Sequence, residues 1–290
     1  MLRLTTTLTV LLLGLALTQA CTSTKSAKPQ MATSEPHRQP IPADLSEAVH
    51  RSEAVGRQLF VLDKVSSVAT DALIEKVGDL KSQNIAGYLP VRDATASGQP
   101  SNNHSVLFYT QEQPPRIKFE VKVGIDAKST TAVYDPPKDL PPAMLELVKA
   151  RHAAINAAPH EEQPMNALLL PADLIGKTGI LVYLIAGTKR PDVVVVGRHY
   201  RAVVPFGTAE VSEIMPLSKS VLELSTKGPQ GQKLEALMVT HLVSDFPLET
   251  HVLASLQSHL PLLVATRRGG WLVKGDHIEY WGAFPEKESK

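Results

Sequence analysis

From residue 44 to residue 80, Leu45, Val49, Ser52, Val55, Leu59, Leu62, Ser66, Ala69, Leu73, Val77 and Leu80 recur at steps of three or four. That spacing places side chains on one face of an α-helix. Phe60, Val61, Val65 and Val68 widen the face in its middle, where the helix should pack most deeply. Asp44, followed three residues later by Glu47, reads as the N-terminal cap. Gly56 marks the place where such a helix would break.

Beyond residue 84 the period changes. Residues 116–124 (RIKFEVKVG) alternate Ile117, Phe119, Val121 and Val123 with Lys118, Glu120 and Lys122, as a strand buried on one face does. Residues 85–92, 105–110 and 130–134 read as further strands, separated by turn-rich stretches such as ASGQPSNN. Residues 139–156 (DLPPAMLELVKARHAAIN) carry prolines ahead of a helix-forming run, a position where the missing amide hydrogen costs little. Apolar, β-branched segments follow at 167–170, 180–186, 193–204, 209–215, 221–224 and 236–243, and short connections predict mostly antiparallel pairing. Leu248, Val252, Leu256 and Leu260 step by four and predict a short helix over 246–259, ended by Pro261. Residues 262–265 and 271–274, joined by Arg267, Arg268, Gly269 and Gly270, predict a hairpin.

The fold class expected is therefore α+β: a single globular domain over residues 44–284, with a mostly antiparallel sheet covered by the long N-terminal helix and one or two shorter ones. The alternative is two subdomains meeting near Asp139. Residues 285–290 form a polar tail.

The first twenty residues belong to a different class of segment. Arg3, the apolar run at residues 8–17 (LTVLLLGLAL) and small Ala20 before Cys21 have the plan of a signal peptide. The run is too short for a helix that spans a bilayer, which needs about 20 apolar residues. Cys21 is the single cysteine of the chain, so it has no partner for an internal disulfide.

Residues 1–21 resemble a bacterial lipoprotein signal, and the resemblance implies that the Cys21 thiol carries a diacylglyceryl group. Thr18 stands where that pattern has leucine. Ordinary secretory cleavage, which would release a soluble periplasmic protein, is the other route. Thr22 follows the cysteine, and the lack of Asp there leans toward the outer membrane. Residues 22–42 are rich in Ser, Thr, Lys and Pro and have too little apolar surface to fold. As a flexible tether over residues 21–43 they would hold the domain about 25 Å from its anchor.

Lys plus Arg total 30 and Asp plus Glu total 29, so no basic excess favours a nucleic-acid partner. Residues 171–178 (PADLIGKT) end like a phosphate-binding loop, but Pro171 replaces its first glycine and a strand-like run follows; the segment reads as a turn, with no nucleotide bound. No cofactor motif is expected. GxSxG, SxxK and HExxH are missing, and HEEQP at residues 160–164 lacks a second histidine.

Two groups of residues remain. His241, Glu249 and His251 converge if the chain turns sharply after His241, and two histidines with a carboxylate suffice for a zinc site with an open position. Trp271, Tyr280, Trp281 and Phe284 cluster near the C-terminus and suit either a binding surface or a seal over a sheet edge. Arg267 and Arg268 read as a solvated turn. Residues 197–205 and 240–278 resemble uncharacterised proteobacterial envelope proteins, a resemblance that implies no activity.

The function expected is that of an exported, lipid-anchored envelope protein that binds a periplasmic protein, as an assembly factor or as an inhibitor of the immunity type. The alternative is a periplasmic hydrolase, metal-dependent through His241, Glu249 and His251.

Overall fold

The helical face read from residues 44–80 becomes α1, Ala43–Val77, which at 35 residues is about 50 Å long. The structure is a computed structural model and describes residues 38–285 except 96, 98, 160–164 and 189. Cys21, the signal segment, the tether up to residue 37, the HEEQP motif and residues 286–290 lie outside the described residues.

Fourteen strands and two further helices follow among the described residues. The first sheet is an antiparallel meander of β1 Ile85–Ala94, β2 Pro100–Thr110, β3 Arg116–Val123 and β4 Ser129–Asp139, in that order. After α2 (Pro142–Ala157) the second sheet is formed by β5 Met165–Pro171, β6 Ile180–Ala186, β8 Tyr200–Val204 and β9 Glu213–Pro216. A short ladder pairs β7 Val193–Val195 with β10 Glu223–Ser225. The third sheet contains β11 Leu237–Thr240, β12 Leu262–Thr266, β13 Gly269–Lys274 and β14 His277–Gly282. Here β11 and β12 run parallel, with α3 (Glu249–Ser258) in the crossover between them, because parallel neighbours cannot be joined by a tight turn.

The α+β class holds, but the strands form three four-stranded sheets and a ladder in place of one sheet. Successive stretches of α1 bury against different sheets. Leu45 and Val49 share a core with the third sheet; Val55, Leu59 and Leu62 pack with Leu181, Tyr183 and Val203 of the second. Val65, Ala69 and Leu73 meet Val106, Phe108, Phe119 and Val121 of the first. The second sheet is covered on both faces, since Val182 and Leu184 turn the other way onto Ala150 and Ala154 of α2. That double coverage accounts for the unbroken apolar run ILVYLIA in β6.

Three local expectations are corrected. Asp44 does not cap α1: Pro42 precedes the helix without a side-chain cap, and the Asp44 carboxylate instead accepts two hydrogen bonds from Arg268 at 3.0 and 3.1 Å. Arg268 is thereby a paired residue and not a free turn cation, and the Arg267 guanidinium donates to the Leu242 carbonyl at 3.0 Å. Residues 193–204 divide into β7 and β8. A side chain at Gly197 would sit 2.1 Å from the Ser220 carbonyl oxygen, and Arg198 takes a φ of 62°, so the backbone leaves the strand conformation there. Strand β14 is an element that the sequence pattern did not single out.

Nor does α1 break at Gly56. A Cβ there would lie 2.5 Å from Val252 Cβ and 2.9 Å from the Glu249 carbonyl oxygen; the glycine lets α3 cross directly against α1. Gly56→Ala is therefore expected to lower stability by about 1–3 kcal/mol through overpacking, although alanine alone would gain about 1 kcal/mol in helix propensity. Urea denaturation of the two proteins measures the difference, and a more stable variant would contradict this close crossing.

Candidate functional site

His241, Glu249 and His251 do come together, at the N-terminal end of α3. The rings of His241 and His251 meet edge to face with centroids 4.6 Å apart. All three residues are buried, with exposures of 4%, 3% and 2%. They meet inside a packed junction between the second and third sheets, and each of them makes a hydrogen bond to a protein group.

Glu249 is the first residue of α3, where the helix dipole favours a negative charge. One of its carboxylate oxygens, Oε1, accepts from the Tyr183 hydroxyl at 2.6 Å and from the Arg201 guanidinium at 2.8 Å. Tyr183 and Arg201 come from neighbouring strands of the second sheet, at paired positions of β6 and β8. Burial, followed by the Glu249 charge, holds the Tyr183 hydroxyl well above its ordinary pKa, so it stays protonated and remains the donor.

The histidines are neutral. His251 Nδ1 accepts from the Leu248 N–H at 2.9 Å, closing the first turn of α3. Ser244 donates its one hydroxyl hydrogen to the Phe246 carbonyl, so at 2.9 Å His241 Nε2 is the donor to Ser244. His199 joins them from the turn before β8: its Nδ1 accepts from the Ala186 N–H at 3.1 Å, which leaves Nε2 to donate to the Val195 carbonyl at 3.2 Å. Burial pushes His199 and His241 down to about 4. His251 is held well below the ordinary histidine value by burial, and then by the other two imidazoles.

The residues of the expected zinc site thus have several of their polar atoms engaged by protein groups. Among the described residues no group of three or more His, Cys, Asp or Glu side chains is placed to hold a metal ion. The carboxylate is committed to Arg201 and Tyr183, and His251 Nδ1 is committed to backbone.

The aromatic group behaves as a seal. Trp271 is 1% exposed and stacks at a tilt on Tyr280, 4.6 Å between centroids. Its indole N–H donates to Thr266 Oγ1 at 3.0 Å, and the Tyr280 hydroxyl donates to the Arg268 carbonyl at 2.7 Å. Neither offers surface to a partner, because both are consumed in the core of the third sheet. Trp281 is half-buried and Phe284 exposed. Residues 171–178 form the turn expected between β5 and β6, and Lys177 pairs with Glu213.

Neither a protein-family model, nor a curated protein, nor a solved structure matches the chain. Its own side chains thus carry the functional argument. The sequence reading missed Arg201 and Tyr183 as partners of Glu249. The signal was present in Arg201, a charged residue inside the apolar strand YRAVV, since a buried charge requires a counter-charge.

Proposed function

We propose that the protein is exported, is held by an acyl group on Cys21 at the periplasmic face of an envelope membrane, and acts there by binding a protein partner as an assembly factor or inhibitor. The observation that carries this reading is the order of the N-terminal segments: an apolar run at residues 8–17, the lone Cys21, then a polar stretch that reaches the start of α1. No helix among the described residues is long and apolar enough to cross a membrane, so attachment in this proposal rests on the lipid. Thr22 in place of Asp supports the outer membrane. The commitment of His241, Glu249 and His251 to packing favours binding over hydrolysis.

Growth with an alkyne-tagged palmitate should label the wild-type protein and leave Cys21→Ser unlabelled; equal labelling of the two refutes the anchor. Crosslinking in intact cells followed by affinity purification should recover one stoichiometric envelope protein with the wild type. Recovery of none across growth conditions would count against the binding role.

A further inference from the structure

A cleft of about 580 Å³ opens where the middle of α1, β1, β5, β7 and the C-terminal end of α3 meet. Its volume lies within the about 300–1,000 Å³ typical of sites for small ligands. Three of the polar residues that line it, from three elements, offer acceptors. One is the Asp63 carboxylate of α1, half-buried, whose Oδ2 accepts from Gln257 at 2.8 Å. The others are the Tyr88 hydroxyl of β1 and the Asn166 amide of β5, which make no side-chain hydrogen bond among the described residues. Ile185, Val193 and Val195 add aliphatic lining.

Asp63 makes no ion pair among the described residues, and the described residues that line the cleft include Asp71 but no lysine or arginine. Burial raises the Asp63 pKa, against the hydrogen bond from Gln257 and the Lys64 charge, which lower it. Burial likewise pushes Tyr88 up to about 12, so its hydroxyl is neutral and can accept. An ionised carboxylate kept partly out of water is a cost to the fold, and ligand sites are where such costs are retained.

The geometry points to this cleft as a binding site for an ammonium group on a short aliphatic chain, with Asp63 as its counter-ion, Tyr88 and Asn166 as acceptors, and Ile185, Val193 and Val195 against the hydrocarbon. The ammonium has three donors to place, and Asp63, Tyr88 and Asn166 each offer an acceptor; the chain covers apolar surface. Two sources present this chemistry, a free aliphatic diamine and the lysyl side chain of a polypeptide. This inference is independent of the lipid anchor and of the partner proposed above.

Saturation-transfer difference NMR on the purified protein tests it with three probes: 1,5-diaminopentane, Nα-acetyl-lysine methylamide and neutral 1-pentanol. Both amines should bind at neutral pH and the alcohol should not. Asp63→Asn, whose side-chain oxygen still accepts from Gln257, should weaken amine binding roughly 10-fold or more, the size of a lost charge-assisted hydrogen bond. Tyr88→Phe keeps the ring and should weaken binding less, which supplies a second reading should Asp63→Asn fail to fold. Tighter binding of the diamine identifies a free amine as the ligand, and tighter binding of the lysine derivative identifies a polypeptide. Failure of both amines to bind at tens of millimolar, equal binding of the alcohol, or unchanged affinity in both variants overturns the assignment.

Discussion

Lowering the pH from 7 to 5 is expected to remove several kcal/mol of folding stability, well above the range in which carboxylates titrate. His199, His241 and His251 are buried and neutral, with the first two at about 4 and the third held well below its ordinary value. In the unfolded chain each takes a proton near pH 6.5. Their neutral burial therefore supports the fold fully above pH 6.5, and the support is lost as the pH falls from 6.5 toward 4, because only the unfolded state binds protons in that window. Between pH 7 and pH 5 each histidine contributes up to about 2 kcal/mol of loss, so three give an upper limit of about 6 kcal/mol.

That limit is comparable to the whole stability of an ordinary domain. The junction they occupy joins the second and third sheets to α3, so its failure should be cooperative. Chemical denaturation at a series of pH values should show a slope approaching three protons between pH 6 and pH 5. His199→Gln should reduce the slope by about one proton. A stability that is flat from pH 7 to pH 5 would mean that these imidazoles take up protons in the fold as readily as in the unfolded chain.

Removal of the Glu249 carboxylate is expected to cost about 3 kcal/mol or more. Glu249→Ala leaves the Arg201 guanidinium, with 18% of its side chain exposed, without its counter-charge, and leaves the Tyr183 hydroxyl without its acceptor. Breaking one side of a buried ion pair typically costs about 3–5 kcal/mol; the residual exposure of Arg201 places this case at the lower end. The pair Glu249→Leu with Arg201→Met should recover much of the loss, because two apolar side chains strand no charge. Urea titrations of Glu249→Leu, Arg201→Met and the double variant give the coupling energy. Additive losses would show that the two groups do not share one interaction.

How much of this was legible along the chain depends on the range of the contacts involved. The α1 face was readable because a 3.6-residue period is a local property, and the same holds for α2, for α3 and for the alternation in β3. Gly56 was visible as an oddity with two opposite meanings, a break or a close approach. Only the presence of Val252 across the helix crossing decides between them. The division into three sheets was not legible, since a period of two tells which face of a strand is buried and not which strand lies beside it.

The candidate site divides along the same line. That His241, Glu249 and His251 meet was readable from the turn between β11 and α3, all within eleven residues of chain. That they meet as a packed junction follows from Arg201 and Tyr183, which lie 48 and 66 residues from Glu249. For Trp271 and Tyr280 the sequence favoured a structural seal and left a binding surface open. Their hydrogen bonds to Thr266 and to the Arg268 carbonyl satisfy their polar tips internally, and this makes burial affordable.

From its sequence alone, then, this protein has an α+β composition of elements and the long amphipathic helix on which they assemble, because hydrophobic period and turn chemistry act between near neighbours. The order of its N-terminal segments, which supports the proposed anchor at Cys21, is equally local. The tertiary structure alone decided which charged and aromatic side chains are spent inside the fold and which face an open cleft. A side chain's pKa, partner and exposure are set by groups distant along the chain, and for Glu249, His251, Trp271 and Asp63 those groups arrive only when the sheets close around α1 and α3.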